Sequence, residues 1–287
     1  MTKNQTIKKY FNQKEKLSLK NKKYNTQVKW LVDFMLQEDL DTKGDITTDT
    51  IIKSNPKVTA IITVKENCIL AGLEEVESIL NTYNLKPKTY KKDGQKIKKN
   101  EKIIKLSGKI KDILKLERTI LNILQRMSGI ATQTNKLITK NNPLLCSTRK
   151  TQWGLLDKKA VALGGGGTHR LGLYDWILIK DNHIANTKTH NLKPITSFYE
   201  IECKTEKQVF EFAKLNPGAI MLDNMRPEKI KKIIKQIKKT NPDIIIEASG
   251  GITEKNIREY QKTGVDIISL GSLTHSVKSL DISLNIL

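Results

Sequence analysis

Between Cys146 and Ile184 the chain carries Arg149-Lys150, His169-Arg170 and Lys180, five potential cations around the glycine run Gly164 to Gly167. Glycine lets backbone approach a ligand with no Cβ in the way, so a small, strongly anionic guest is the natural occupant. Arginine is scarce, six residues against 45 lysines. Where lysine supplies almost every surface cation, a retained arginine points to the planar fork that pairs bidentately with carboxylate or phosphate. Arg118, Arg149 and Arg170 are therefore the arginines to follow, while Arg226 and Arg258 read as surface residues.

The elements that must position this cluster follow from the rhythm of the second half. Apolar runs at Trp176 to Ile179, Tyr199 to Cys203, Ala219 to Leu222, Ile244 to Ile246 and Val265 to Ile268 recur with helical patterns between most of them. Repeated βα units predict a parallel sheet, and enough of them a barrel whose active site lies on the loops after the strands. Those strands lead into Lys180-Asp181-Asn182-His183, Asp223-Asn224, Ser249-Gly250-Gly251 and Leu270-Gly271-Ser272, with Glu202 inside one of them. Pattern alone thus gives a phosphate grip at Gly250, Gly251 and Gly271 and carboxylates at Glu202 and Asp223. Carboxylates beside phosphates imply Mg2+, which takes only one or two protein ligands and keeps several waters. An outward strand residue at Glu202, a helix N-cap at Asp223 and plain glycine turns are the plainer alternatives.

The first half reads as a separate α+β domain. Residues 1–25 hold eight lysines against the single acid Glu15 and read as a mobile basic extension. An amphipathic helix is expected from Val28 to Leu40 with Trp30, Leu31, Phe34, Met35 and Leu36 on its apolar side. Val58 to Val64 and Cys68 to Leu70 read as strands, Leu73 to Leu80 as a helix, and Gly94 and Gly108 as turns. Ile120, Leu124, Met127 and Ala131 give a long linking helix between Glu117 and Lys140, with Arg118 in its first turn.

Composition narrows the class. The formal charge of +21 suggests nucleic acid or a membrane surface, but the lysines are spread along the chain and read as a solvated surface; binding through residues 1–25 is the minor alternative. Three widely spaced cysteines, Cys68, Cys146 and Cys203, with no C-x-x-C, suit a reduced cytoplasmic protein. No apolar run approaches the ~20 residues of a membrane span.

At these residues the sequence resembles the quinolinate phosphoribosyltransferase family, nicotinate-nucleotide pyrophosphorylase (carboxylating), over about residues 28–287. The resemblance rests on ordered motifs. Gly44-Asp45-Ile46-Thr47-Thr48, Glu117-Arg118-Thr119 and Gln125-Arg126-Met127-Ser128-Gly129 come first. Thr148-Arg149-Lys150-Thr151, His169-Arg170-Leu171-Gly172-Leu173-Tyr174-Asp175 and Lys180-Asp181-Asn182-His183 follow, then Glu200-Ile201-Glu202, Leu222-Asp223-Asn224, Glu247-Ala248-Ser249-Gly250-Gly251 and Gly271-Ser272-Leu273-Thr274-His275.

The resemblance implies an α/β protein with a small N-terminal α/β sandwich domain plus an incomplete (β/α) barrel. Residues 26–135 would form the first, 136–275 the second, and 276–287 would return to the first. It implies phosphoribosyl transfer from phosphoribosyl pyrophosphate to quinolinate with Mg2+, releasing pyrophosphate and CO2, in a homodimer with shared active sites. Arg149, Arg170 and His169 would hold the acid, with Arg118 supplied by the neighbour. Thr148, Lys150 and Lys180 would bind phosphoribosyl pyrophosphate, Glu202 and Asp223 the metal, and Ser249, Gly250, Gly251 and Gly271 the 5′-phosphate, with His275 supporting the last loop. The four glycines would let His169-Arg170 approach the acid. A same-fold enzyme acting on nicotinate is the alternative. Trp153 in place of a proline, Lys111 in place of an arginine and a short 184–199 segment, in which one barrel helix is missing, depart from the family pattern.

Overall fold

The computed structural model describes residues 1–139, 143–187 and 195–287. In chain order it runs α1 (Lys3–Phe11), α2 (Lys22–Leu40), α3 (Ile46–Ile51), β1 (Lys57–Val64), β2 (Cys68–Ile69), α4 (Leu73–Thr82), β3 (Lys86–Thr89), β4 (Lys96–Ile97), β5 (Lys102–Lys109) and α5 (Ile110–Leu137). It continues with β6 (Leu144–Cys146), α6 (Leu155–Leu163), β7 (Ile177–Ile179), α7 (Asp181–Ala185), β8 (Tyr199–Cys203), α8 (Glu206–Ala213), β9 (Ala219–Asp223) and α9 (Pro227–Thr240). The chain ends with β10 (Ile245–Ser249), α10 (Ile257–Gln261), β11 (Ile267–Ser269), α11 (Ser272–His275) and β12 (Ile282–Ile286).

These elements divide into two compact units. The first comprises residues 1–13, 137–151 and 166–275. Its six strands lie in the order β6-β11-β10-β9-β8-β7, and all neighbouring pairs are parallel. A closed barrel of this class has eight strands, so this is an open, incomplete one. Directly paired residues in a sheet point to the same face. The registers therefore align Glu200, Ala219 and Ile245 in one row, and Glu202, Met221, Glu247 and Ile267 in the next. That face carries the core of Cys146, Leu178, Ala219, Met221, Ile245 and Ile267, completed by Trp176 and Phe11.

Phe11 corrects the expectation of a mobile extension at residues 1–25. α1 begins with a capping box at Thr2 and Gln5, and Ile7, Tyr10 and Phe11 form a stripe at helical spacing packed into the core of the unit. Lys3 pairs with Asp266 at 2.7 Å and donates to the Ile244 carbonyl. Eight lysines masked three apolar positions in the sequence. Residues 14–25 belong to the second unit, where Leu17 and Tyr24 are buried.

The second unit comprises residues 14–136, 152–165 and 276–287. Its antiparallel sheet runs β12-β1-β5-β3, beside a small β2-β4 ladder. β12 brings the C-terminus onto β1, pairing Ala60 with Ile286 through Val64 with Ile282. Gly108 is required because a Cβ there would lie 2.1 Å from Leu85 Cδ2. Two expectations change here. α6 belongs to this unit rather than to a continuous 136–275 segment, because Lys159 is buried between Glu74 and Glu75. In α2, Val28, Leu31, Val32 and Leu36 face inward while Trp30 and Phe34 stay 68% and 53% exposed, their rings stacked at 6.2 Å. α5 starts at Ile110, where the chain leaves β5, and the expected end at Lys140 lies outside the described residues. The expected loop from Ala185 to Pro194 falls largely outside them, and Asp181–Ala185 is the helix α7. No helix among the described residues is long and apolar enough to cross a membrane.

Candidate active site

Parallel strands deliver the loops after them to one edge of the sheet, and the first unit gathers its candidate residues there. Thr148, Arg149 and Lys150 follow β6, and Lys180 follows β7. Glu202 sits near the end of β8, Asp223 and Ser249 are the last residues of β9 and β10, and Gly271 and His275 follow β11. Asp223 and Ser249 are direct partners in the ladder, as are Ser249 and Ser269.

Arg170 is the site's most informative charge. It is only 5% exposed, and no carboxylate lies within ion-pair distance of it among the described residues. Burial and the neighbouring Arg149 guanidinium lower its pKa, offset in part by Glu200 and Asp175. A buried unpaired charge costs several kcal/mol, and a second cation beside it raises the cost. Two neighbouring guanidinium groups, one of them buried, suit an anion bearing more than one charge. Asp175 shapes the turn behind it by accepting from the Leu171 amide at 2.9 Å and from the Gln13 side chain.

His169 does not open toward a ligand as the sequence suggests. Its ring is buried, with Nε2 3.1 Å from Glu247 Oε2 and 3.6 Å from Glu200 Oε2, while Nδ1 accepts the Arg170 amide at 2.8 Å. Both ring nitrogens are engaged inside the protein. Burial alone would lower the His169 pKa; the Glu247 and Glu200 charges outweigh it and raise it to about 9. The Arg170 amide makes the opposite demand, because it requires a lone pair at Nδ1. It belongs to the next residue and cannot withdraw. Burial and the Glu247 charge push the Glu200 carboxyl up to about 7. A neutral imidazole with its proton on Nε2 suits both the Glu247 contact and the Arg170 amide. The three side chains are close enough to suggest a metal centre, but Nε2 is turned to Glu247 and Nδ1 is taken by the Arg170 amide.

Gly167, at the end of the glycine run, serves packing. A Cβ on Gly167 would lie 2.6 Å from Cys146 Sγ and 2.7 Å from the Phe11 carbonyl. The glycines after β10 have the other character. Gly250 and Gly251 adopt φ of +82° and +63°, and a Cβ on Gly250 would meet the Asn224 side chain at 2.6 Å. Gly271 keeps Lys150 Cδ and His275 Cδ2 at 3.0 Å from where its Cβ would stand, and Thr274 Oγ1 donates to the Lys150 carbonyl at 2.8 Å. His275 thus flanks the last loop. Lys180 Nζ reaches Glu202 Oε2 at 2.5 Å, and Asp223 Oδ2 accepts from Asn224 at 2.9 Å.

Arg118 lies in the other unit, exposed on α5. Sequence reasoning passed over two features. Arg126 makes a buried bidentate pair with Asp157, both contacts 2.9 Å, and its guanidinium lies over the Trp153 ring at 5.1 Å. Asp157 also accepts the Gln152 and Trp153 amides, so Trp153 has a local partner. The scarcity of arginine could have flagged Arg126. Glu247, equally unremarked, could have been found as an acid at an inward-facing position of a buried strand.

Known proteins resemble the chain along most of its length. Residues 45–128 match the model for the quinolinate phosphoribosyl transferase N-terminal domain, and residues 130–285 that for the C-terminal domain. The chain is 44% identical to a probable nicotinate-nucleotide pyrophosphorylase [carboxylating] of Methanocaldococcus jannaschii, over 85% of this chain and 92% of the relative. The Bacillus subtilis protein of the same description is 40% identical over 91% and 93%. Among solved structures, nicotinate-nucleotide pyrophosphorylase from Ehrlichia chaffeensis superposes with a TM-score of 0.84 at 36% identity, covering 90% of this chain and 98% of that one. With both domain models matched in order along most of its length, the chain belongs to the quinolinate phosphoribosyl transferase family.

Proposed function

We propose that the protein joins quinolinate to phosphoribosyl pyrophosphate with loss of CO2 and pyrophosphate, forming nicotinate mononucleotide for NAD synthesis. The observation that carries this is the buried, unpaired Arg170 beside Arg149. Quinolinate is a planar dicarboxylate, and two guanidinium forks match its two acidic groups. Nicotinate would leave one cation of the pair uncompensated, which disfavours it as the acceptor.

Arg149 and Arg170 orient the acid so that its ring nitrogen faces the ribose carbon. As pyrophosphate departs, that carbon becomes oxocarbenium-like and charge builds on the leaving oxygens. Lys150 and Lys180, following β6 and β7, would bind those oxygens, with Lys180 exchanging its contact with Glu202 for one with substrate. Thr148 supports the same loop through the hydrogen bond its hydroxyl accepts from the Lys150 amide. The left-handed backbone at Gly250 and Gly251, with Ser249 and Gly271, suits close approach of the 5′-phosphate. Loss of CO2 leaves an electron pair on a ring carbon beside the cationic nitrogen, and that carbon takes up a proton from water to give the product, so no side-chain nucleophile is needed.

Glu202 and Asp223 fit Mg2+. They are hard oxygen donors on the same face of adjacent strands, and the substrate's phosphates and water would complete the coordination. Bound there, Mg2+ would neutralise charge on the departing pyrophosphate. The enzyme acts as a cytoplasmic homodimer in which Arg118, exposed on α5, reaches the neighbour's acid site, and the exposed Trp30–Phe34 pair supports a covered face on the same unit. The test is product formation by purified protein with Mg2+ and phosphoribosyl pyrophosphate. Nicotinate mononucleotide should form from quinolinate and not from nicotinate; equal use of nicotinate would reject the assignment.

A further inference from the structure

We propose that Glu247 is a positioning residue for the acid-binding Arg170, acting by fixing the tautomer of His169. This rests on the reading of Arg170 as a quinolinate ligand and adds how that side chain is held.

His169 is strained as well as buried. Its φ of +50° lies in the left-handed region, where a residue with a Cβ costs about 1 kcal/mol or more. Four contacts hold it there. Its amide donates to the Phe11 carbonyl at 3.0 Å, and the Phe11 ring meets its edge with centroids 5.2 Å apart. Nε2 faces Glu247, and Nδ1 accepts the Arg170 amide.

The last two contacts are linked through the imidazole. A neutral ring has one N–H, so a carboxylate facing Nε2 places the proton there and leaves a lone pair at Nδ1. That lone pair receives the Arg170 amide. Were the proton on Nδ1 instead, two N–H groups would face each other at 2.8 Å and the Arg170 backbone would have to rotate. Glu247 fills this role better than Glu200, because Glu247 is at 3.1 Å and Glu200 at 3.6 Å. Glu247 is wholly buried and its Oε1 has no partner, so the carboxylate is placed on the sheet face for the imidazole. The relay runs from Glu247 through His169 to the Arg170 backbone, and Arg170 alone would touch the acid.

The experiment pairs ring 15N NMR of histidine-labelled full-length enzyme with steady-state kinetics on Glu247→Leu, Glu247→Gln and Arg170→Lys. The His169 signal is assigned by its loss in His169→Gln. In the wild type at neutral pH, His169 should show a protonated Nε2 and a bare Nδ1. Glu247→Leu should lose that pattern and raise the quinolinate KM about tenfold, with the phosphoribosyl pyrophosphate KM within about threefold. Glu247→Gln keeps a carbonyl acceptor and should restore both readouts.

A wild-type His169 protonated at Nδ1 overturns the proposal even if the leucine variant fails to fold. So does a folded Glu247→Leu with unchanged tautomer and quinolinate KM. Arg170→Lys separates the two readings: an unchanged quinolinate KM there refutes the acid site itself, whereas a raised KM beside a silent Glu247→Leu refutes the relay alone.

Discussion

Replacing Phe11 with alanine tests whether the N-terminal helix is part of the catalytic unit's core. The Phe11 side chain is fully buried, and its ring lies 5.1 Å from Trp176, 5.2 Å from His169 and 5.8 Å from Phe198 between centroids. Deleting a buried phenyl costs about 3–5 kcal/mol, the lost transfer free energy plus the cavity left behind. Aromatic contacts of this geometry add roughly 0.5–1.5 kcal/mol each beyond the buried area, which places Phe11→Ala toward the upper end. With a urea slope of about 2 kcal/mol/M, a loss of about 4 kcal/mol lowers the unfolding midpoint by roughly 2 M. Trp176 is the sole tryptophan of this unit, so its fluorescence follows the transition where the cavity forms. Lys8→Ala on the exposed side of the same helix should shift stability by less than about 0.5 kcal/mol. A midpoint for Phe11→Ala within about 0.3 M of wild type would refute the assignment of α1 to the core.

Three further outcomes follow. Arg149→Lys keeps the charge but loses the fork, so the quinolinate KM should rise about 10- to 100-fold in steady-state assays while that for phosphoribosyl pyrophosphate changes little; near-normal kinetics would remove Arg149 from the acid site. Gly250→Ala places a Cβ 2.6 Å from Asn224 at a φ of +82° and should cost about 1–3 kcal/mol in urea unfolding, with the larger kinetic defect in phosphoribosyl pyrophosphate. Arg126→Ala strands the fully buried Asp157 and should destabilise by about 3–5 kcal/mol, read by chemical denaturation; a change under about 1 kcal/mol would show that the pair carries little of the unit's stability.

The parallel sheet was legible because its apolar runs are short, evenly spaced and each followed by a polar or glycine turn. The loop residues came with it, since a strand that ends in Asp223 or Ser249 fixes which end of the sheet it serves. α1 was not legible, because its three apolar residues are interleaved with lysines and their partners lie more than a hundred residues away. The inward face of α2 was misassigned for a related reason: Trp30 and Phe34 are as apolar as Leu31 and Leu36, and only the packing decides which side turns in. The role of His169 was hidden because its partners Glu200 and Glu247 sit on separate strands, and strand registry, which sequence does not spell out, brings them to one point. Gly167 was misread because close backbone packing and close ligand approach select the same residue.

Two arginines, one of them buried with no carboxylate at ion-pair distance among the described residues, suit a dicarboxylate. Calorimetric titration of the free protein with quinolinate and with nicotinate tests it most directly. Quinolinate should bind at least about tenfold more tightly, an advantage of about 1.4 kcal/mol or more for the second carboxylate, and the advantage should shrink in Arg170→Lys. Equal affinity for the two acids, or an advantage untouched by Arg170→Lys, would contradict the account.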